Sequence, residues 1–442
     1  MQKKRMTNIF VGTFSSLFLS VGLHAEWKNA ANGNETTIWI ALFALAVVGI
    51  FALYFSSAKI KELTRKFSTM QNAQKEIETR QNVLLGVIGE RLETSTHGIR
   101  RHRELFENQN GESLDWEAIR SEMTRFRRDE HLLNDAMQDL QDFSQIRSGR
   151  LKLEDLPFGV SEMLKRLSHQ VEPHYFLKRN ELIYRFDPQR IAQLSGDSRR
   201  IEQILSVLLI ELGQGVYDST VVLSMMAGKE NETLTFDVLV PQSDEGVQML
   251  EEMFIGGTDL EATQHSSRKL KSYIARELIR LMGGTITSVL EHEAGIHYRI
   301  VLPLQVEAAV SPLSFPSVPL LIVSHNELTA LSVGDMLEGG LSREQIDVYI
   351  SGEATLPDLS QYETVVITYA ALQAGWAERL RTFQEEYPLR LIVLKNGFER
   401  NLSIPEELAV VQTLRLPLLP EKLAEAMNKD PEEIDGYDEA VS

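Results

Sequence analysis

The chain has 442 residues, 43% of them apolar, and its 45 Lys and Arg against 63 Asp and Glu give a formal net charge of −18. This length suggests roughly three domains of about 150 residues each. The absence of cysteine excludes disulfide scaffolds, cysteine-ligated zinc, iron–sulfur clusters and thiol nucleophiles. The negative charge argues against a nucleic-acid partner, because binding to phosphate backbones requires clustered Lys and Arg.

Two apolar segments near the N-terminus predict attachment to a membrane. Residues 38–55 contain no charged side chain, and their length fits the core of a bilayer, so a transmembrane helix is predicted over 37–57. Residues 1–25 are either a signal peptide or a first membrane helix. Basic residues flank both segments on the same side, which predicts the inner membrane of a bacterium with the bulk of the chain in the cytoplasm.

Residues 59–150 have the periodicity of long helices. A heptad seam is followed by a polar turn at 108–113 and by a second amphipathic run over 116–146. The pattern predicts a coiled coil and a helical hairpin that dimerise into a four-helix bundle. The alternative is one amphipathic helix packed on its own domain. The seam consists of Ile60, Leu63, Phe67, Met70, Ile77, Leu84 and Ile88, interrupted by Gln74 and Gln81.

The sequence of residues 140–164, LQDFSQIRSGRLKLEDLPFGVSEML, resembles the segment that joins the dimerisation bundle to the ATPase domain in hybrid sensor histidine kinases. Residues 84–99 resemble the phosphoacceptor box of that family, and 196–209 (GDSRRIEQILSVLL) resemble the start of its ATP-binding box. In 318–427, the strands PLLIV, TVVIT and LRLIVL resemble those of a receiver domain.

The resemblance implies a multidomain fold class. It combines the transmembrane helix with a coiled-coil four-helix dimerisation bundle, an α/β-sandwich ATPase-like domain and a doubly wound α/β receiver-like domain. The ATPase-like domain is predicted over 151–305 and the receiver-like domain over 318–428. Residues 306–317, rich in proline and small side chains, are predicted as a linker, and 429–442 as an acidic, disordered tail.

The phosphoacceptor histidine of the family aligns with Glu90, which cannot form a phosphoramidate. His97 stands seven residues further along, two helical turns away. We interpret His97 as a surface residue near the end of the bundle.

The ATP-binding positions of the family also differ here. The Asn that binds Mg²⁺ aligns with Glu211 and an earlier Asn with Val207. The Lys that reaches the phosphates aligns with Gln214, and the Asp that recognises adenine with Gln242, the nearest acid being Asp244. Glu211 is the change that fits a retained metal, because carboxylates suit Mg²⁺.

The glycine-rich turn of the family corresponds to Lys269, Leu270, Lys271 and Ser272. Lysine side chains bind phosphate as point charges but do not supply the backbone freedom of glycine. This segment is predicted to start a basic helix. No cofactor is therefore expected, although ATP and Mg²⁺ remain open.

The receiver-like segment lacks the acids that a receiver uses to hold Mg²⁺. The acid pair aligns with Ser324 and His325, the phosphoacceptor Asp with Thr368, and the Lys that stabilises the phosphoryl group with Leu416. Lys395 lies near the Thr or Ser position and is interpreted as a surface charge.

These substitutions predict a membrane-anchored pseudokinase of phosphorelay architecture that is not an enzyme and has no catalytic or metal site. It would act by contact with a partner histidine kinase or a response regulator, as a homodimer or a heterodimer. Two alternatives remain: an active kinase that uses His97 and a metal on Glu211, and a nucleotide sensor without phosphotransfer.

Overall fold

The computed structural model describes residues 116–240, 266–291, 295–308, 313–338, 340–352 and 356–429, together with isolated helical residues between 49 and 100. The chain divides into two compact units, Met1–Asn82 and Val83–Ser442, and every element named below belongs to the second. The predicted segment 1–25, the helix over 37–57 apart from Gly49, and the tail from 430 onward lie outside the described residues.

The predicted fold class is corrected in one respect, the transmembrane helix. Among the helices in the described ranges, none combines the length and the apolar character needed to cross a bilayer. The longest of them, α1 (Trp116–Arg147), has 32 residues but carries charged side chains along its whole length.

Helix α1 corresponds to the second predicted run of the helical hairpin. One face packs inward through Ala136, Phe143 and Ile146, whereas Leu132 and Met137 are exposed. The heptad seam before it lies outside the described residues, except for isolated helical positions such as Phe67.

Residues 151–308, which we call the central domain, form a two-layer α/β sandwich. Its five-stranded sheet has the order β2-β4-β5-β7-β6, and only the β2/β4 pair is parallel. The alternating apolar residues on one face of these strands pack against helices, as expected for a half-buried sheet. The strands are β2 (Glu181–Arg185), β4 (Thr220–Ala227), β5 (Leu234–Val240), β6 (Thr285–Glu291) and β7 (Gly295–Leu302).

Within the described ranges, the helices that cover this sheet are α2 (Val160–Lys178), α3 (Ser198–Gly215) and α4 (Ser266–Leu281). Helix α3 begins at Ser198 because the Asp197 side chain accepts a hydrogen bond from the Arg200 N–H at 3.1 Å and so caps the first turn.

A small second sheet closes the end of the central domain. It pairs β1 (Leu156–Gly159) with β3 (Gln193–Gly196), and β3 with β8 (Gln305–Glu307), in antiparallel register. Strand β8 contains the first residues of the segment predicted as a linker. The backbone there is fixed by the partner strand, and Val306 is buried.

Residues 313–429, which we call the C-terminal domain, contain a parallel sheet of order β10-β9-β11-β12-β13. Strands β9, β11 and β12 are continuous apolar runs buried on both faces, as expected in a doubly wound sheet. The elements are β9 (Leu320–Ser324), α5 (Glu327–Glu338), β10 (Ile346–Ile350), β11 (Thr364–Thr368), α6 (Ala377–Glu386), β12 (Arg390–Lys395), β13 (Gln412–Arg415) and α7 (Pro420–Asn428).

The two domains share one apolar core, because α5 of the C-terminal domain packs against β2 of the central domain. The buried side of α5 contributes Ala330, Val333 and Met336 to that core. In the same contact, the Ser332 hydroxyl donates a hydrogen bond to the backbone carbonyl of Tyr184 in β2.

Candidate functional site

The C-terminal ends of β9, β11 and β12 meet in a polar cleft, which contains most of the predicted receiver positions. The backbone N–H of His325 lies 3.2 Å from the Thr368 hydroxyl, and the His325 Nδ1 lies 3.1 Å from the same oxygen. Ser324 is fully buried and accepts a hydrogen bond from the Asn326 N–H at 3.2 Å. At the acid-pair and acceptor positions, the cleft therefore presents hydroxyl and imidazole groups.

Lys395, at the end of β12, is buried, so its interpretation as a surface charge is wrong. Its ammonium group donates a hydrogen bond to the Leu402 carbonyl and lies 4.9 Å from the centre of the Tyr369 ring. Leu416, at the position of the receiver lysine, is a buried apolar residue of the core.

The cleft is closed by a carboxylate from the other domain. Glu181, the first residue of β2, is 4% exposed. Its Oε2 atom accepts a hydrogen bond from the Asn326 Nδ2 at 2.7 Å and lies 3.5 Å from the His325 Nε2. The other oxygen, Oε1, accepts a weaker bond from the Asn396 Nδ2 at 3.3 Å. Three donors of the C-terminal domain thus converge on one side chain of the central domain.

Burial alone would raise the pKa of Glu181, because a charged group is disfavoured away from water. Hydrogen bonding and the charge of His325, with bonds from Asn326 and Asn396, outweigh burial and lower the pKa of Glu181 below its usual value of 4.5. Burial likewise acts to lower the pKa of His325, but Glu181 and the charge of Glu399 raise it above 6.5. Both shifts favour the ionised pair, while the Asn326 Nδ2, 3.0 Å from the same His325 Nε2, competes for that nitrogen.

Two further charged groups lie at the rim of this pair. Burial raises the pKa of Glu399, and the nearby charge of Glu181 raises it further. Burial lowers the pKa of Lys395, with Glu399 acting in the opposite direction. The cleft thus combines two acids and two bases in a space with little water.

The positions of the predicted ATP box lie on α3. Val207 is partly buried against the apolar core, and Glu211 is buried. Gln214 lies one turn after Glu211, and its Nε2 is 3.1 Å from the Nδ1 of His174 in α2. Burial, together with the charge of Lys271, lowers the pKa of His174.

The segment aligned with the glycine-rich turn is helical, as its sequence predicts. Leu270 and Ser272 are fully buried on α4, and the ammonium group of Lys271 lies 3.7 Å from the Asp135 carboxylate of α1. In a regular helix the N–H groups after the first turn are bonded within the helix and cannot cradle phosphates. The described residues therefore do not fit the phosphate turn of an ATP site, although the Glu211 carboxylate suits Mg²⁺.

Four predicted positions are not placed. Glu90, His97 and Gln242 lie outside the described residues, and only the backbone of Lys269 is described. Within the described ranges, no group of three or more His, Asp or Glu side chains is arranged to hold a metal ion.

The central domain also contacts α1 through a buried carboxylate, that of Asp142. The Asp142 Oδ2 accepts hydrogen bonds from the Gln203 Nε2 and forms an ion pair with the Arg200 Nη1, both at 2.8 Å. Asp142 is 1% exposed. Arg200 and Gln203 belong to the predicted ATP-binding box, but in this structure their side chains bind α1 through Asp142.

The sequence reasoning missed Glu181, Asn326, Asn396 and Asp142. Asn326 is the second residue after β9 and Asn396 directly follows β12, so both lie at the end of a buried strand, where parallel sheets bind ligands. This signal was available in the sequence for both asparagines. Glu181 carries no comparable signal, since it starts a strand in another domain.

No family model matches the chain. Over 290 residues it is 23% identical to the sensor histidine kinase RcsC of Escherichia coli K12, a match that covers 64% of this chain and 30% of RcsC. Over 159 residues it is 28% identical to the sensor protein GacS of Pseudomonas syringae pv. syringae, covering 34% of this chain and 17% of GacS. The matched part therefore spans less than a third of either relative.

Among solved structures, the fold is similar to that of full-length ShkA, which was crystallised in complex with AMPPNP. The TM-score is 0.56 at 18% identity, and the similarity covers 78% of this chain and 71% of ShkA. The chain therefore has a multidomain, histidine-kinase-like fold with an ATPase-like domain.

These comparisons correct the expectation that the chain is not an enzyme. The sequence relatives are sensor histidine kinases, which are enzymes, and no observation shows that this chain is inactive. What is shown is a sensor-histidine-kinase-like protein of two-component signalling.

Proposed function

We propose that this two-component signalling protein works through contact between its C-terminal, receiver-like domain and its ATPase-like central domain. The observation that carries the proposal is the closed cleft, in which Glu181 of the central domain is bound by His325, Asn326 and Asn396. The end of the sheet that a receiver keeps open for phosphotransfer is here an internal interface.

The chemistry of the cleft supports contact rather than phosphoryl acceptance by the C-terminal domain. Aspartyl phosphorylation requires a carboxylate nucleophile and further carboxylates that hold Mg²⁺. Ser324, His325 and Thr368 stand at those positions. The carboxylate of Glu181, which lies against His325, is already engaged by three donors.

The proposed partner is a second copy of the chain, bound through α1. Met123 and Met137 of α1 are exposed and, at a spacing of two heptads, lie on the same side of the helix, and such an apolar surface packs well against a partner helix. A heterodimer with another histidine kinase uses the same face. A response regulator is the proposed downstream partner.

Phosphoryl acceptance can be tested on the full chain with acetyl phosphate and Mg²⁺, followed by intact-mass measurement. We expect no added phosphoryl group on the C-terminal domain, whereas a working receiver domain in the same tube gains one. A phosphoryl group mapped to residues 318–428 would contradict the proposal.

Control by contact can be tested with Asn326→Asp, which places a second carboxylate against Glu181. Incorporation of labelled phosphate from ATP and Mg²⁺ is compared between the wild-type chain and this variant, with the exposed Gln141→Ala of α1 as a matched control. We expect incorporation to change severalfold in Asn326→Asp and not in Gln141→Ala. Equal incorporation in all three, including none in any of them, would argue against control through this contact.

A further inference from the structure

The cleft at the ends of β9, β11 and β12 is lined mainly by hydrogen-bond donors, whereas a cation site is lined by carboxylates and other oxygen ligands. Apart from the Glu399 carboxylate, the side chains that line the cleft are hydrogen-bond donors or bases: His325 and Asn326 after β9, and Lys395 and Asn396 at the end of β12. Carboxylates prefer such a set of amide and cationic donors, because hydrogen bonds to an ionised acceptor are stronger than those between neutral groups. The cleft is therefore built to bind an anion.

The bound anion is present in the chain itself. Both Glu181 oxygens point at donors of the C-terminal domain, and within its own domain Glu181 accepts one hydrogen bond, from the Thr220 hydroxyl at 3.2 Å. Glu181 and Asn326 are 145 residues apart along the chain. A carboxylate this deeply buried destabilises the folded state unless its oxygens are paired. The contact between the two domains therefore depends on the donors that bind Glu181.

We propose that the cleft of the C-terminal domain is a carboxylate receptor whose ligand is Glu181. Loss of the proton from His325 releases this ligand and loosens the contact between the central and C-terminal domains, which we call the joint. This inference rests on the proposed function, in which the two domains act through their contact, and adds that pH regulates the strength of this contact. The joint is held in acid to neutral solution and weakened as the pH rises.

The direction of this pH dependence follows from the groups that face the pair. His325 has a raised pKa, so its contribution to the joint is complete below pH 6.5 and is lost as the pH rises through the pKa of the bound form. Glu181 has a lowered pKa, so its contribution is lost only as the pH falls below 4.5. Glu399, whose pKa burial raises above 4.5, faces the same pair, while Lys395 opposes it from β12.

Other contacts of the joint surround this pair and involve neither His325 nor Glu181. Arg185 of β2 forms an ion pair with Asp335 of α5, and the Arg179 guanidinium lies 5.5 Å from the centre of the Phe398 ring. At the far end of α2, the Ser161 hydroxyl bonds to Glu421 of α7. These contacts keep the domains adjacent when the central pair is weakened, so we expect loosening and not complete separation.

The receptor can be tested by chemical rescue in the full chain. Glu181→Ala removes the ligand and leaves the three donors in place. Hydrogen exchange of the β2 and α5 amides is measured by mass spectrometry, with sodium formate or an equal concentration of sodium chloride. We expect exchange in Glu181→Ala to be about tenfold faster or more, the equivalent of one lost charged hydrogen bond, and formate to slow it again.

Chloride supplies the ionic strength but not a planar carboxylate, so equal effects of formate and chloride would overturn the receptor. Asp335→Asn is the matched control: it weakens the same joint without emptying the cleft, and formate should not change its exchange. If Glu181→Ala does not fold, Glu181→Gln replaces it: the amide fills the cleft without the charge, so exchange of the β2 and α5 amides should be faster than in the wild type, and equal exchange would overturn the receptor.

The role of His325 is tested by measuring hydrogen exchange of the wild-type chain and of His325→Asn at a series of pH values. Each rate is corrected for the intrinsic exchange rate at that pH. We expect protection of β2 and α5 to fall with rising pH in the wild type and to stay flat in the variant. Parallel profiles would overturn the role of His325. Because these measurements involve no partner and no phosphoryl donor, formate rescue can succeed where the proposed signalling function fails, and the two failures are distinguishable.

Discussion

The central domain is held on two sides by buried carboxylates that differ in the chemistry of their partners. On the side of α1, Asp142 is paired with Arg200, whose guanidinium stays charged at every physiological pH. On the side of the C-terminal domain, Glu181 is paired with His325, which loses its charge as the pH rises through its raised pKa. Two interfaces of similar design therefore respond differently to pH.

The flanking contacts strengthen this difference. Beside Asp142, the rings of Phe143 and Tyr273 lie 5.8 Å apart, and their contact does not depend on charge. Beside Glu181, the flanking pair of Arg185 and Asp335 is partly exposed and therefore screened by salt. The comparison indicates a fixed joint to α1 and an adjustable joint to the C-terminal domain.

The largest expected effect is on the fixed joint. Asp142→Ala leaves Arg200 and Gln203 without their shared acceptor, and breaking a buried ion pair by removing one partner costs about 3 kcal/mol. We expect the free energy of unfolding, measured by urea denaturation of the full chain, to fall by that amount at both acid and alkaline pH. Gln141→Ala, exposed on the same helix, should change it by less than about 0.5 kcal/mol. An equal loss in both variants would show that Asp142 holds no joint.

The next effect concerns the adjustable joint. Glu181→Gln keeps the size of the side chain but removes the charge that His325 faces, and it leaves the carboxamide as a poorer acceptor for Asn326 and Asn396. Hydrogen bonds to charged groups contribute about 2 kcal/mol, so a loss of that order is expected near pH 6. A stability equal to that of the wild-type chain would mean that Glu181 is not the ligand of the cleft.

The two joints should differ most in how pH affects the loss of stability caused by Asp142→Ala and by Glu181→Gln. The destabilisation by Glu181→Gln should shrink as the pH rises through the raised pKa of His325, because the wild-type chain then loses the same ion pair. The destabilisation by Asp142→Ala should stay constant over that range. Urea unfolding at a series of pH values measures both curves, and parallel curves would remove the distinction between a fixed and an adjustable joint.

Much of the fold could be predicted because its signals are local. The apolar runs of β9, β11 and β12 appear in the sequence as strands, and Asp197 stands where a helix cap is expected. The predicted basic start of α4 is also found as a helix. These features depend on neighbours along the chain, so their residues alone specify them.

The candidate site could not be predicted in the same way. The alignment identified His325 and Thr368 as positions without receiver chemistry, but it gave no reason to connect them with Glu181, which lies in another domain. Lys395 resembles a surface charge in sequence, and its burial depends on the irregular chain around Leu402. A contact between domains depends on how two finished sheets pack, and no periodicity encodes it.

The smallest effect tests the flank of the adjustable joint. Arg185 and Asp335 expose 40% and 31% of their side chains, and exposed pairs contribute about 0.2–1 kcal/mol. Arg185→Gln should therefore lower the free energy of unfolding by less than about 1 kcal/mol, and the loss should decrease in high salt. Glu181→Gln should be much less sensitive to salt, because its pair is buried. If Arg185→Gln cost more than Glu181→Gln, the main hold of the C-terminal domain would lie at the exposed flank, and pH would have little control over it.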